Sequence, residues 1–171
     1  QLFEVFPNEA HKALVALEKK YQVNIITQNV DDLHERAGST KVLHLHGELK
    51  KVRSTGFPEA IYDLEGWELK KEDRCENGFP LRPHIVWFGE AVPAITEAEE
   101  LCRQAELFLV VGTSLQVYPA AGLIYSVDPN IPRYYIDPKA RQNAGNSGMF
   151  LVAETAVSGM QKLMDILKPL A

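Results

Sequence analysis

The stretch HLHGEL at residues 44–49 places two imidazoles, a glycine and a carboxylate side by side. His44 and His46 lie two apart, so on a strand both project to the same face, which suits metal ligation. A general base beside a buried neighbour suits the same pattern, because an imidazole changes charge near neutral pH. The polar end of a buried strand would explain both histidines with no chemistry. These residues alone leave the three readings open.

Other stretches with chemical potential follow apolar runs. They are TQNVDD (27–32), FGE (88–90), GTSLQVYPAAG (112–122) and DPKA (137–140). A Gly-Thr-Ser turn entering a helix offers backbone N–H groups and hydroxyls to a phosphate, and the same composition also serves the bare geometry of a strand-to-helix turn. Asp137 ends an apolar run, where a carboxylate can accept hydrogen bonds from a ribose hydroxyl. The G-x-G-x-x-G fingerprint of dinucleotide sites is absent.

The elements that must position these residues alternate between strand and helix. Ala10, Ala13, Leu14 and Leu17 recur at helical spacing behind Asn8, a natural N-cap, and predict a helix over about 9–20. VNIITQN (23–29) and KVLHLHG (41–47) read as strands around a short helix, DDLHERAG (31–38), in which Asp32 serves as a cap. HIVWFGE (84–90), ELFLVVGTS (106–114), PRYYID (132–137) and MFLVAE (149–154) are further predicted strands. Thr96 and Glu99 stand in capping-box register at the start of TEAEELCRQA, AAGLIYSV (120–127) reads as helical, and Val157, Met160, Leu163, Met164 and Leu167 mark a closing amphipathic helix. Such alternation predicts an α/β fold with a doubly wound, mostly parallel, Rossmann-like sheet whose ligands lie at the carboxyl ends of its strands. Residues 50–84 break the pattern with mixed charge, glycines and prolines, and predict a small loop-rich insert. The domain division is therefore 1–49 with 85–171, interrupted by 50–84.

Composition narrows the partners. A chain of 171 residues with 46% apolar content can bury a core of its own. Its net charge of -5, without a basic run, argues against nucleic acid and against anionic membranes. Cys75 and Cys102 form no spaced pair, which agrees with the reducing cytoplasm, and no apolar run approaches the roughly 20 residues of a membrane span. The opening QLFEVFPNEAHKAL lacks Met and runs into a helix of internal character, so the chain is expected to be part of a longer one.

TQNVDDLHERAG, LHLHGEL, LRPHIVWFGE and VVGTSLQVYPAAG occur in the order and spacing of the sirtuin family, the NAD-dependent protein deacylases, and the chain resembles its bacterial members from about Pro7 to the last helix. The resemblance implies that His46, before the glycine of HGEL, is the catalytic base and that His44 is not catalytic. In that family the acyl-lysine oxygen attacks the nicotinamide ribose, nicotinamide leaves, the histidine activates a ribose hydroxyl against the resulting imidate, and the acyl group ends on ADP-ribose. It further implies that Gln28 and Asn29 contact the ribose, that Asp31 lines the nicotinamide pocket, and that Gly112, Thr113, Ser114 and Asp137 lie along NAD. Val86, Phe88, Gly89 and Glu90 resemble the segment that pairs with the acylated lysine's backbone. Against these stand plainer readings: His11 and His34 as capping or surface residues, His84 as structural, Trp87 and Phe88 as core aromatics.

Two departures from the family pattern carry expectations. Most sirtuins hold a structural zinc through two C-x-x-C pairs, whereas residues 50–84 offer only Cys75, with Ser54 where the first cysteine would stand. One thiolate cannot make a four-cysteine site, so no zinc is expected, and Phe57, Ile61, Tyr62, Leu64, Trp67 and Phe79 are expected to pack the insert. The family's N-terminal strand and Gly-Ala-Gly loop are also missing, so the chain alone is expected to bind NAD weakly. The rival to a deacylase is thus a truncated, inactive sirtuin that binds peptide or nucleotide. A metallohydrolase built on His44 and His46 comes third, for want of a further ligand at suitable spacing.

Overall fold

Asn8 starts the first helix: its Oδ1 accepts the N–H groups of Ala10 and His11, and His11 Nδ1 accepts the N–H of Asn8. The computed structural model describes residues 4–143, 145 and 148–167. In chain order these form α1 (Glu9–Leu17), β1 (Ile25–Thr27), α2 (Leu33–Ala37), β2 (Val42–His44), β3 (Gly47–Ser54), β4 (Ile61–Asp63), β5 (Leu81–Ile85), α3 (Ile95–Arg103), β6 (Phe108–Val111), a 3-10 helix (Ala120–Tyr125), β7 (Arg133–Ile136), α4 (Ala140–Asn143), β8 (Phe150–Val152) and α5 (Ala156–Leu167). α1 is shorter than the spacing predicts, because the Glu18 N–H is shared between Leu14 and Val15 and the next amides close tighter turns.

β1 pairs in parallel with β2, and β6, β7 and β8 pair in parallel in that order. Alternation along the strands feeds two faces. Tyr134 and Ile136 of β7 join Ala10 and Leu17 of α1 and Met160, Leu163 and Leu167 of α5 on one side. Leu45, Ala98, Cys102, Ala120 and Leu123 pack on the other, with Ile26 and Phe108 against them. Cover on both faces is what parallel strands require, and it accounts for their continuous apolar runs. α1 and β1–β2 with α2 precede the insert, and the remaining parallel strands follow it.

The insert is more regular than the sequence suggests. β3 pairs antiparallel with β4 on one side and with β5 on the other. Its strands were hidden because this is a single layer: along GELKKVRS only Gly47, Val52 and Ser54 are buried, so no apolar face is written into the sequence. The expected aromatic packing is not found, since Phe57, Ile61 and Phe79 are exposed and Trp67 is 78% exposed, although Phe57 and Phe79 meet edge to face.

Three local expectations are corrected. The strand foreseen at 84–90 lies at Leu81–Ile85, and Trp87–Glu90 form a turn. Thr96 caps nothing: α3 begins at Ile95 behind Ala94, and no side chain caps it. Asp32 makes no capping bond either, since Asp31 Oδ1 accepts the Leu33 N–H at 3.1 Å while Asp32 pairs with Lys50.

Candidate active site

His46 sits in the Leu45–His46 turn where the chain leaves the parallel pair β1–β2 and enters the antiparallel sheet. Leu45 is driven into the core at 1% exposure, and its N–H donates to the Thr27 carbonyl at 2.9 Å, which fixes the turn. Gly47 then takes φ +82, and a Cβ on it would lie 1.9 Å from the His84 carbonyl oxygen. Only glycine lets β3 come this close to β5.

The His46 ring is oriented by backbone. Its Nδ1 lies 3.1 Å from the Gln28 carbonyl oxygen. A carbonyl only accepts, so Nδ1 carries a proton and in the neutral ring the lone pair lies on Nε2, with no hydrogen bond to it among the described residues. His44 differs: Nε2 meets Glu35 Oε1 at 2.7 Å and Nδ1 meets the Asn29 carbonyl at 3.3 Å. Both of its ring nitrogens are turned to protein acceptors, so neither is directed at a substrate.

The turns after β1 and β6 meet, because Gln28 Nε2 donates to Thr113 Oγ1 at 3.3 Å. Beneath them the fully buried Tyr135 donates its hydroxyl to the Thr113 carbonyl at 2.7 Å, and burial raises its pKa, so the donor stays protonated. A cavity of about 950 Å³ opens here, lined by Gln28, Asn29, His34, Gly112, Thr113 and Ser114 among others. Its lining is mostly apolar, from α1, β1, β6 and α5, and Gln28, Asn29, Thr113 and Ser114 bring amide and hydroxyl groups to it at these turns. His46 lies outside that lining and joins it through the Gln28 carbonyl. Asp31 also lies outside, where its Oδ1 accepts the Leu33 N–H at the start of α2, beside His34 and His11. Asp137 follows β7, where its Oδ1 accepts the Lys139 N–H at 2.7 Å.

Residues 86–90 follow β5 and meet His46 at its backbone. The Val86 N–H donates to the His46 carbonyl at 3.0 Å. Phe88 at 96% and Trp87 at 54% exposure are not core residues, which removes the plainer reading of these aromatics. Glu90 turns inward, onto Arg82, Arg53 and the Trp87 N–H. Tyr135, Arg53 and Arg82 escaped the sequence reading, because partners so far apart in the chain leave no periodic trace.

The donor set of the insert does not fit zinc. Ser54 Oγ lies 3.3 Å from Cys75 Sγ and accepts the N–H groups of Gly56 and Phe57, each at 3.2 Å. The Ser54 hydroxyl draws the Cys75 pKa down, while burial pushes Cys102 up to about 11. Among the described residues no group of three or more His, Cys, Asp or Glu could hold a metal ion.

Residues 1–119 match the Sir2 family. An NAD-dependent protein deacylase of Helicobacter pylori is 55% identical over 171 residues, all of this chain and 74% of its own length. One from Bacteroides thetaiotaomicron is 46% identical over 174 residues, 99% of this chain and 74% of its own. Among solved structures, a Sir2 homolog bound to NAD superposes at a TM-score of 0.83, with 36% identity over 99% of this chain and 68% of that one. A Sir2 complex with a p53 peptide and NAD+ superposes at 0.79, with 31% identity over 96% and 72%.

Proposed function

The chain belongs to the Sir2 family, and on that premise we propose that it is an NAD-dependent protein deacylase, of deacetylase or desuccinylase type, whose general base is His46. The observation that carries this reading is the His46 Nδ1–H bond to the Gln28 carbonyl, which leaves Nε2 free to accept a proton. NAD, when bound, supplies the ribose that gives up nicotinamide and receives the acyl group as O-acyl-ADP-ribose. Toward it, His46 Nε2 takes the proton of a ribose hydroxyl, Gln28 and Asn29 hold the ribose, Asp31 borders the nicotinamide side, and Gly112, Thr113, Ser114 and Asp137 follow the remainder of the molecule. Val86, Phe88 and Gly89 pair with the backbone of the acylated lysine.

The relatives' shared name favours catalysis over the rival of an inactive binding module. The Ser54–Cys75 pair supports an insert, residues 50–84, that folds without zinc. Two free cysteines support a cytoplasmic setting, and no helix among the described residues is long and apolar enough to cross a membrane. The net charge of -5 argues against nucleic acid and membrane surfaces as partners.

His46→Ala tests the reading. Its expected result is a kcat at least about 100-fold lower, the range lost with a general base, with circular dichroism and Tm unchanged. Full deacylation by this variant at saturating NAD would remove His46 from the role.

A further inference from the structure

The resemblance places Glu90 with the residues that touch substrate, but its carboxylate is already engaged. Arg82 grips it through Nη1 at 2.7 Å to Oε1 and Nη2 at 3.2 Å to Oε2, a two-point contact. Arg53 Nη2 reaches Oε2 at 3.4 Å, and the Trp87 N–H donates to the same oxygen at 3.0 Å. Both guanidinium groups also donate to the Ile85 carbonyl, each at 3.3 Å. Arg53 on β3 and Arg82 on β5 stand directly opposite in the ladder, so two like charges are held together by the carboxylate between them.

Glu90 also closes a turn. Its N–H donates to the Trp87 carbonyl at 3.0 Å, and Gly89, third of the four residues, takes φ +88. At the tip, Phe88 has almost no protein around it. An exposed aromatic on a four-residue turn has no packing to hold it, so the bonds at its base fix where it points. One residue earlier lies Val86, whose N–H is on the His46 carbonyl.

We infer that Glu90 is a positioning residue rather than a substrate contact: clamped by Arg82 and Arg53, it sets the Trp87–Glu90 turn and thereby makes the insert a determinant of acyl-peptide binding. The inference rests on residues 86–90 being the peptide-docking segment, as proposed above. In support, hydrogen bonds from Arg82 first and from the Trp87 N–H second draw the Glu90 pKa below the ordinary carboxylate value.

The test is Arg82→Met, read by kinetics and by amide hydrogen exchange. The KM for an acyl-lysine peptide is expected to rise roughly tenfold, as for loss of one charge-assisted contact, with kcat and the KM for NAD little changed. Amide exchange at Trp87 and Glu90 is expected to quicken by a similar factor, while the β6–β7 ladder keeps its protection. Arg82→Lys, which keeps the charge and loses the two-point grip, is expected to fall between. If Arg82→Met loses protection throughout, Arg82→Lys alone decides. Unchanged exchange at Trp87 and Glu90 overturns the clamp, whatever the kinetics. Faster exchange with an unchanged peptide KM overturns the link to substrate by removing residues 86–90 from the docking role. A peptide KM raised by Glu90→Ala but not by Arg82→Met returns Glu90 to direct contact and overturns the inference as well.

Discussion

The amide of Val86 donates to the carbonyl oxygen of His46 at 3.0 Å, so the residue that opens the proposed docking segment and the residue proposed as the base share a main-chain hydrogen bond. On its other side His46 is held by its ring, through the Gln28 carbonyl after β1. One residue thus joins three segments, and a shift in any of them moves the Nε2 lone pair. Misplacement on the order of 1 Å can cost about 100-fold in rate.

Gly47→Ala should break this junction through the fold. A Cβ 1.9 Å from the His84 oxygen cannot be accommodated by a side-chain rotation, and φ +82 adds its own strain. The expected cost is about 3 kcal/mol or more, a fall in Tm on the order of 10 °C. Thermal unfolding within about 2 °C of the parent would mean that β3 and β5 separate more easily than their ladder suggests.

Tyr135→Phe removes the donor beneath Thr113 and leaves its half-buried carbonyl without that hydrogen bond. The expected loss is about 1 to 2 kcal/mol in stability, with a KM for NAD several-fold higher and the acyl-peptide KM unchanged. Titration calorimetry with NAD reads the effect. Equal affinity in both proteins would show that the Gly112–Ser114 turn needs no support from below.

Acid should loosen the contact between α1 and α2. Burial, and after it the His11 ring at 4.8 Å, lowers the His34 pKa below 6.5, against the opposing influence of Glu35 and Asp31 and with a smaller lowering from His44. The folded state therefore favours neutral His34, the unfolded chain binds protons first, and the stability present above pH 6.5 is lost as the pH falls toward the lowered folded value. Tm followed from about pH 7.5 to 5.5 should drop less steeply in His34→Gln. Parallel curves would assign the acid response elsewhere.

Zinc should be substoichiometric in the purified protein by elemental analysis, and chelator should leave Tm where it was. Ser54→Ala should instead destabilise, by about 2 kcal/mol, because Ser54 is 1% exposed and its oxygen satisfies the Gly56 and Phe57 amides. A stoichiometric metal whose removal unfolds the insert would reverse the assignment.

What the sequence discloses is the part of the structure that buries apolar side chains periodically. β6, β7 and α5 carry that signal, and Asn8 marks α1 through a cap that works within a single turn. The insert is silent for the opposite reason: β3 buries a glycine, a valine and a serine, and no hydrophobic period can express that. Trp87 and Phe88 looked like strand because they are apolar, yet a glycine at φ +88 bends the chain beside them. At the site, HLHGEL by its residues alone left His46 one reading among three, and only the family resemblance put it forward as the base. The contacts between site residues were not legible, since the Gln28 carbonyl that orients His46 is 18 residues away and the Arg53 that holds Glu90 stands 37 from it.

The close approach of β3 to β5 separates two neighbouring codons in an evolutionary sense. A random change at 47 meets the His84 carbonyl while the chain is still folding, so it is lost to proteolysis or aggregation before any substrate arrives. A random change at 46, on a part-buried turn whose ring bonds one carbonyl among the described residues, would pass that quality control and, with His46 as the proposed base, fail at turnover. In a mutant library scored once for soluble abundance and once for lysine deacylation, position 47 would be depleted on both axes and position 46 on the second alone. On the proposed role of His46, the two letters of the HG pair would thus be held in place by different selections, one against a methyl group and one for a lone pair.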